Sequence, residues 1–311
     1  MKLTALKFLV CPGCHGELEP RAERREAEII EGVLACRDCG RDYPIVRGVP
    51  RFVAAGAYAT SFGDQWKWFR TVQLDSLNGT HQSETTLAGT TGWRDEDYAG
   101  RLVLDAGVGA GRFAEIVARK GGEVVGIDLT TAVDAAYASI GRLDNVHLVQ
   151  ADIFAMPFRE DTFDLAYSIG VLHHTPDTRA AFDRVAAVVK KGGGLAVYLY
   201  ARYGAGHQGA DLIRRVTTHL PRRLMFALAM VAIPLYYPYR LAVAGPILQM
   251  LAPISMHPNW RWRWLDTFDW YTPRFQWKFL YPEVHRWFRD NGFLDVEIFD
   301  DPIRMRGIKS A

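Results

Sequence analysis

Residues 102–112, LVLDAGVGAGR, are the part of this 311-residue chain from which a fold can be argued. The first three residues form a continuous apolar run, which is typical of a parallel strand covered on both faces. Gly107, Gly109 and Gly111 permit a tight turn and a close approach of the backbone to a ligand. A helix predicted to begin near Arg112 would offer its first N–H groups to a polar group. The glycine pattern alone is weak, because such turns also occur for purely structural reasons.

Alternating strands and helices continue downstream of this turn. The further strand-like runs are residues 123–127, 146–150, 163–168 and 195–200. Stretches of helical length lie between them, including residues 112–120 and 178–190, and we expect the second to end at the Gly192–Gly194 run. This alternation predicts an α/β fold with a doubly wound, mostly parallel sheet.

Acidic residues stand where a nucleotide would be bound. Asp128 ends the second strand, and a carboxylate there can accept hydrogen bonds from both hydroxyls of a ribose. Asp152 follows the third strand, where it could accept from the exocyclic amine of adenine. Each aspartate by itself could equally be a helix cap or a turn residue. Their positions relative to the glycine turn favour a nucleotide-like cofactor.

These motifs together resemble the class I S-adenosylmethionine (SAM)-dependent methyltransferases, strongly over residues 100–200 and weakly over 282–311. The matching pieces are residues 103–111 (VLDAGVGAG), 126–129 (GIDL), 150–152 (QAD), 157–158 (PF) before 163–164 (FD), and 170–174 (GVLHH). A nicotinamide-dependent enzyme would share the glycine turn but lacks the downstream motifs. The resemblance implies a Rossmann-like sheet of seven strands and SAM as cofactor.

The same resemblance implies which residues bind SAM. Asp105 and the glycines would lie near its methionine part, Asp128 at the ribose, and Asp152 with Ile153 beside the adenine. The full set of expected cofactor-binding residues is Asp105, Gly107, Gly109, Gly111, Asp128, Leu129, Asp152, Ile153 and Ser168.

Four cysteines near the amino terminus form two C-x2-C pairs. Cys11 with Cys14 and Cys36 with Cys39 can place four thiolates around Zn²⁺, and such a closed set is structural because no coordination position stays open. A lost metal site or a redox role is the alternative. Residues 36–50 resemble small zinc-ribbon proteins that activate certain methyltransferases, which implies a ribbon that stabilises the catalytic domain.

The predicted organisation is a zinc-ribbon domain at residues 1–55 and a methyltransferase domain at 56–311, with a helical insertion at about 203–260. Within the insertion, residues 224–239 are uncharged but contain two prolines, and they are too few for a transmembrane helix. We expect the insertion to cap a lipophilic or bulky acceptor. Loose contact with a membrane is the alternative.

Two groups of residues are candidates for chemistry at the methyl acceptor. His173 and His174 follow the fourth strand, where one of them could act as a general base for a hydroxyl acceptor, unless both only shape the cofactor loop. Asp266, Asp269 and Tyr271 combine acids with aromatics, and a buried carboxylate needs a partner. They are therefore expected to line the acceptor pocket. Residues 61–66, SFGDQW, are expected to form a lid over the cofactor.

The predicted function is SAM-dependent methylation of a small molecule such as a glycan, lipid or secondary metabolite, with oxygen as the acceptor atom. The chain lacks the Asn-Pro-Pro-Tyr pattern of many nitrogen methyltransferases, and a net charge of +2 without a long basic run argues against nucleic acid. Methylation of RNA or protein and a non-catalytic binding module are the alternatives. The first residues lack a secretory signal, so a cytoplasmic location is expected. Nothing in the sequence indicates an oligomeric state.

Overall fold

The computed structural model describes residues 1–22, 28–53, 68–202, 206–300 and 303–311. The chain divides into two compact units, Met1–Ala201 with Phe279–Ala311, and Arg202–Lys278. The second unit extends further towards the carboxyl terminus than the predicted insertion at 203–260. A domain boundary at residue 55 stays a prediction, and the predicted lid at residues 61–66 lies outside the described residues.

The amino-terminal part of the first unit is a small antiparallel sheet. Its four strands are β1 (Leu18–Arg21), β2 (Gly32–Cys36), β3 (Asp42–Val46) and β4 (Val49–Pro50), and they pair in sequence order. Cys14 and Cys39 lie in turns, and Cys36 is the last residue of β2. Such a sheet with two cysteine turns has the form expected of a zinc ribbon.

A seven-stranded sheet forms the centre of the first unit. Its strands are β5 (Leu102–Ala106), β6 (Glu123–Asp128), β7 (Val146–Gln150), β8 (Phe163–Ile169), β9 (Val189–Leu199), β10 (Phe293–Phe299) and β11 (Ile303–Lys309). They lie in the order β7-β6-β5-β8-β9-β11-β10. Strands β5 to β9 are parallel, and β11 and β10 are added antiparallel at one edge. The predicted mostly parallel, seven-stranded Rossmann-like sheet is confirmed.

Helices cover both faces of this sheet. Those that precede the second unit are α1 (Asp75–Asn78), α2 (Gln82–Thr91), α3 (Asp95–Tyr98), α4 (Arg112–Arg119), α5 (Ala132–Ile140) and α6 (Thr178–Ala187). Val103 of β5 belongs to the same apolar cluster as Phe113 of α4, whereas its neighbour Leu104 clusters with Phe182 of α6. Because successive strand residues point to opposite faces, the apolar run in β5 serves both layers.

The Gly192–Gly194 run lies within β9, and the prediction that it ends a helix was wrong. Helix α6 ends at Ala187, and β9 begins at Val189. A side chain at 193 would come within 2.6 Å of the carbonyl oxygen of Asp164, and one at 194 within 2.8 Å of Trp93. Gly193 and Gly194 are therefore needed for close packing of the sheet, whereas Gly192 has a positive φ of 73° and open space around it.

Lys2 fastens the ribbon to the carboxyl end of α5. Its half-buried ammonium donates hydrogen bonds to the carbonyl oxygens of Gly141 (2.8 Å), Leu143 (2.6 Å) and Val146 (2.8 Å). A cation at this end of a helix satisfies carbonyl groups that have no partner within the helix. Burial lowers the pKa of Lys2, but the carbonyls accept from its charged form.

The segment after β4 covers the edge of the large sheet at β7. The Phe52 N–H donates to the Gln150 carbonyl oxygen (2.8 Å), and Arg51 pairs with Gln150 as a parallel bridge. The Arg51 guanidinium also binds the Gln150 side chain (3.1 Å) and the Asp134 carboxylate of α5. An unpaired edge strand would be a template for aggregation, and this segment covers the carboxyl end of β7.

The second unit is helical. Its elements are α7 (Gly206–Thr217), α8 (Arg222–Ala229), α9 (Ala232–Leu235), α10 (Ala244–Leu251) and α11 (Trp260–Tyr271), and α12 (Tyr281–Asp290) follows in the first unit. The Asn259 side chain caps α11 by accepting from two backbone N–H groups of its first turn. Phe268 of α11 packs with Met225 and Phe226 of α8. Within the described ranges, no helix has the length and apolar content needed to cross a bilayer.

The first unit holds both ends of this insertion at neighbouring positions. Ala201 and Phe279 form a parallel bridge, and the Phe279 N–H donates to the Tyr200 carbonyl oxygen over 2.9 Å. The chain thus leaves and re-enters the first unit beside the end of β9.

We expect Lys2→Met to lower the free energy of unfolding by about 2 kcal/mol, because three carbonyl oxygens lose a charged donor. Urea denaturation of the variant and the parent protein measures the difference. Lys7→Met is the matched control, since its more exposed pair with Glu123 (2.8 Å) should contribute less than about 1 kcal/mol. Equal losses in the two variants would contradict the role given to Lys2.

Candidate cofactor and metal sites

The glycine turn between β5 and α4 has a backbone conformation and close neighbours that require glycine. Gly107, Gly109 and Gly111 all have positive φ, at 103°, 52° and 92°. A side chain at 107 would come within 2.3 Å of Val171, and one at 111 within 2.6 Å of Ile140. Only glycine fits these positions without strain or displacement. The turn therefore has the shape predicted for a cofactor loop.

Asp128 connects the end of β6 to the glycine turn. Its Oδ2 accepts from the Gly109 N–H (3.0 Å), and its Oδ1 accepts from the N–H (2.8 Å) and the hydroxyl (2.7 Å) of Thr130. A carboxylate has about four acceptor positions, so the protein itself fills three of them. Asp128, the residue predicted to bind the ribose, thus lies against the glycine turn at the carboxyl edge of the sheet.

Asp105, the last-but-one residue of β5, is enclosed beneath the turn. It is 1% exposed, and its Oδ2 accepts a hydrogen bond from the Tyr167 hydroxyl over 3.0 Å. Burial raises the pKa of Asp105 from its usual 3.8 to about 7, although the Tyr167 bond acts in the opposite direction. Ser168 follows Tyr167 in β8, and its hydroxyl donates to the Ala106 carbonyl oxygen (2.7 Å). This bond links β8 to β5.

The residues predicted to surround adenine lie after β7. Asp152 accepts from the Phe154 N–H (3.0 Å) as the cap of a short 3-10 turn, and Ile153 is buried within that turn. The Gln150 side chain donates to the Leu129 carbonyl oxygen (2.9 Å), which joins this turn to the end of β6. Asp152 therefore has the structural role that the sequence left open, and its contact with adenine stays a prediction.

His173 and His174 form a 3-10 turn after β8, and Tyr200 lies against both. The His173 ring is fully buried and stacks on Tyr200 with centroids 3.9 Å apart, while the His174 ring is 4.2 Å from His173. Among the described residues, neither nitrogen of His173 has a hydrogen-bond partner. Burial, and then the neighbouring His174, hold the pKa of His173 well below 6.5. His173 is therefore neutral, and the half-buried His174 is the more accessible ring.

Asp266, Asp269 and Tyr271 all lie on α11 in the second unit. Asp266 accepts from the Ser255 hydroxyl (3.0 Å), and the Tyr271 hydroxyl donates to the Pro253 carbonyl oxygen (2.7 Å). The interactions of Asp266 and Tyr271 fix the loop before α11. Their part in acceptor binding stays a prediction.

Sequence reasoning missed three contributors to the site. Thr130 and Tyr167 each bind one of the two predicted carboxylates, and Tyr200 stacks on His173. A hydroxyl two residues after Asp128 is the kind of signal that could have indicated Thr130, because such residues often bind a neighbouring carboxylate. Tyr167 and Tyr200 meet their partners only through the parallel pairing of strands, which the sequence does not specify.

The four cysteines converge in the ribbon. Their sulfur atoms lie within 4.8 Å of one another, with Cys11–Cys39 at 3.6 Å and Cys14–Cys36 at 3.4 Å. Four thiolates at the usual Zn–S distance stand about 3.8 Å apart at the corners of a tetrahedron, so the cluster fits Zn²⁺. His15 is exposed and has the left-handed conformation of a turn residue.

Tyr43 supports the metal cluster from outside. Its hydroxyl lies 3.1 Å from the Cys11 sulfur, the contact by which a neighbouring donor orients a ligand.

We expect purified protein to contain about one zinc per chain, because a four-thiolate site is saturated by a single ion. Plasma emission spectrometry measures the content. Cys36→Ser should remove most of the metal and lower the unfolding midpoint, while His15→Ala should leave the zinc content unchanged. A metal-free parent protein with the same melting temperature after dialysis against a chelator would refute the zinc site.

The buried carboxyl of Asp105 lowers the free energy of unfolding by an amount that depends on pH. Its pKa is higher in the folded state than in the unfolded state, so the penalty is absent below about pH 4 and complete above about pH 7. We expect Asp105→Asn to stabilise the protein relative to the parent as the pH rises, by as much as about 4 kcal/mol. Urea denaturation of both proteins at pH 4, 5, 6, 7 and 8 measures this.

Asp164→Asn is the control with the opposite sign. Burial tends to raise the pKa of Asp164, but hydrogen bonds from Lys190 and the Leu102 N–H (2.8 Å each) outweigh it and lower that pKa. The stability that Asp164 contributes is present above about pH 4 and is lost below it. If the stability of both variants relative to the parent changed with pH in the same way, Asp105 would not be the group that takes up a proton.

Two family models match the chain. One, described as a methyltransferase domain, matches residues 104–197, and the other, described as a Trm112p-like protein, matches residues 2–48. The first range runs from β5 into β9 and contains the glycine turn, Asp128 and both histidines. The second contains all four cysteines.

Curated relatives match about a third of the chain. A sterol 24-C-methyltransferase of Saccharomyces cerevisiae is 38% identical over 104 residues, covering 32% of this chain and 27% of the relative. A ubiquinone biosynthesis O-methyltransferase of Hydrogenovibrio crunogenus is 35% identical over 98 residues, covering 30% of this chain and 40% of the relative. The chain thus spans less than half the length of these relatives.

A solved complex that contains the Haloferax volcanii Trm112 methyltransferase activator is similar over 80% of this chain and 99% of the matched chain, at 14% identity and a TM-score of 0.46. A likeness at this level says nothing about activity. Two matched domains, the seven-stranded sheet and the clustered cysteines carry the assignment. This chain thus combines a region that matches the methyltransferase domain, on a seven-stranded sheet, with a preceding region that matches the Trm112p-like proteins and holds four clustered cysteines.

Proposed function

We propose that this chain transfers the methyl group of SAM to an oxygen atom of a small-molecule acceptor. The observation that carries the proposal is the hydrogen bond from the Gly109 N–H to Asp128, which fixes a carboxylate beside a glycine turn at the carboxyl edge of the sheet. That is the place where this architecture binds nucleotides. One relative is named as a sterol C-methyltransferase and another as an O-methyltransferase of ubiquinone biosynthesis. Both names support a small, lipophilic acceptor.

Asp128 would hold the ribose and Asp152 the adenine. Two ribose hydroxyls need two acceptor positions, and only one is left on Asp128. We therefore expect the bond from the Thr130 hydroxyl to give way, since the two backbone N–H bonds maintain the turn. Bound SAM supplies an activated methyl group on its sulfonium sulfur.

His174 is the residue that we assign as general base for a hydroxyl acceptor. A base must reach the proton that it removes, and the half-buried His174 ring can do so, whereas the His173 ring is enclosed. His173, stacked between His174 and Tyr200, then acts as a positioning residue. We also propose that the acceptor is contacted by Asp266, Asp269 and Tyr271. Their mixed acidic and aromatic character is the support for this role.

The ribbon would serve the catalytic domain within the same chain. Lys2 binds the carboxyl end of α5, and Arg51 binds Asp134 of α5 and Gln150 of β7. Strand β7 leads directly to Asp152. Through these contacts the ribbon would stabilise the adenine side of the cofactor site. A cytoplasmic location is part of the proposal, because thiolates that bind zinc need a reducing compartment.

We expect Asp128→Asn to weaken SAM binding by about 10- to 100-fold, since hydrogen bonds to a charged group contribute about 1.5–3 kcal/mol. Isothermal titration calorimetry with SAM and with S-adenosylhomocysteine measures the affinity. Asp164→Asn changes the same residue type at the opposite edge of the sheet and should bind like the parent. Equal affinity of the Asp128 variant would remove this carboxylate from the cofactor site, and with it the main support for the proposed activity.

A further inference from the structure

The helical unit, residues 202–278, exposes an unusual number of apolar side chains. Among the described residues, 21 large hydrophobic side chains are exposed, and 14 of them belong to this unit, which is about a quarter of the chain. The 14 are Leu212, Val216, Leu224, Leu228, Met230, Val231, Tyr237, Leu241, Val243, Ile247, Met250, Leu251, Trp260 and Trp277. Single exposed apolar residues are ordinary, but a concentration of them marks a binding surface.

Eight of these side chains follow helical spacing. Leu212 and Val216 share one face of α7, because residues four apart are neighbours on a helix. Leu224, Leu228 and Val231 repeat the pattern along and just beyond α8. The α10 helix adds a third exposed group. We call the set Leu212, Val216, Leu224, Leu228, Val231, Ile247, Met250 and Leu251 the aliphatic surface.

Two of the helices that carry these residues pack closely against each other. Gly209 lies one turn before Leu212 on the same face of α7, and a side chain at 209 would come within 2.3 Å and 2.4 Å of the carbonyl oxygens of Met250 and Leu251. The backbones of α7 and α10 are therefore in contact at this glycine. The two helices that meet there each carry exposed aliphatic side chains.

The same unit carries a strong positive charge. Residues 202–278 contain ten Lys and Arg and three Asp and Glu, a net charge of +7, although the whole chain has only +2. The remainder of the chain is therefore at −5. Arg214 and Arg263 are buried and donate to backbone carbonyl oxygens within the unit. Arg215 and Arg223 are exposed, next to Val216 and Leu224.

We propose that the aliphatic surface and its neighbouring arginines bind the surface of an anionic phospholipid bilayer. Aliphatic side chains enter the boundary between head groups and acyl chains, and arginines pair with the phosphates. A second copy that docked helical unit against helical unit would bring +7 against +7. A nucleic acid would use the arginines but would gain nothing from exposed leucines. The proposal goes beyond the proposed methyl transfer and does not depend on it.

Flotation of the purified full-length protein with vesicles tests this proposal. We expect binding to phosphatidylcholine vesicles with 30% phosphatidylglycerol, much weaker binding to pure phosphatidylcholine, and a loss of binding in high salt. Arg215→Glu with Arg223→Glu should reduce the partition coefficient at least about tenfold, and so should Leu224→Asn with Leu228→Asn. Circular dichroism confirms that these exposed substitutions leave the fold intact.

Matched variants in the other unit serve as controls. Leu294→Asn with Ile298→Asn changes two equally exposed apolar residues, and Arg184→Glu with Lys191→Glu changes two exposed cations. Both should bind vesicles like the parent. The proposal fails if the parent does not float with anionic vesicles, if the helical-unit variants bind as well as the controls, or if the same variants abolish a dimer or RNA binding but not vesicle binding. SAM affinity measured beside flotation shows whether the proposed activity fails separately.

Discussion

The hydrogen bond between the Gly109 N–H and the Asp128 carboxylate is the interaction on which the candidate cofactor site depends. Each partner is held by a different strand: β5 delivers the glycine turn, and β6 ends at the aspartate. Because neighbouring parallel strands end at the same edge, the two meet without any long loop. Asp105, Tyr167 and Thr130 then add a layer of support beneath and beside this contact.

The ribbon is joined to the cofactor domain through backbone groups as much as through side chains. Lys2 binds the final carbonyls after α5, and Phe52 pairs with the edge strand β7. Such contacts are insensitive to most substitutions in the partner, because carbonyl oxygens are common to all residues. A ribbon held in this way can stabilise the β7 side of the sheet without contributing a catalytic group.

The sequence predicted the sheet well because its strands are continuously apolar and its glycines have strict backbone requirements. Gly107 and Gly111 have positive φ and close neighbours, so their spacing carried structural information. Gly192–Gly194 misled us, since glycine also occurs in strands that pack tightly, as it does here against Trp93. Tyr167 and Tyr200 were missed because their contacts arise from strand pairing. Asp266 and Tyr271 could be placed on a helix but not assigned a partner molecule.

The pairing of Ala201 with Phe279 means that 77 residues are inserted between two points that already touch. Such an attachment makes the helical unit exchangeable: a different segment could be grafted there without stretching β9 or moving the glycine turn. Since the Tyr200 carbonyl takes part in the junction while its ring stacks on His173, any grafted module would start next to the histidine pair. The helical unit can thus change in length and sequence independently of the seven-stranded sheet.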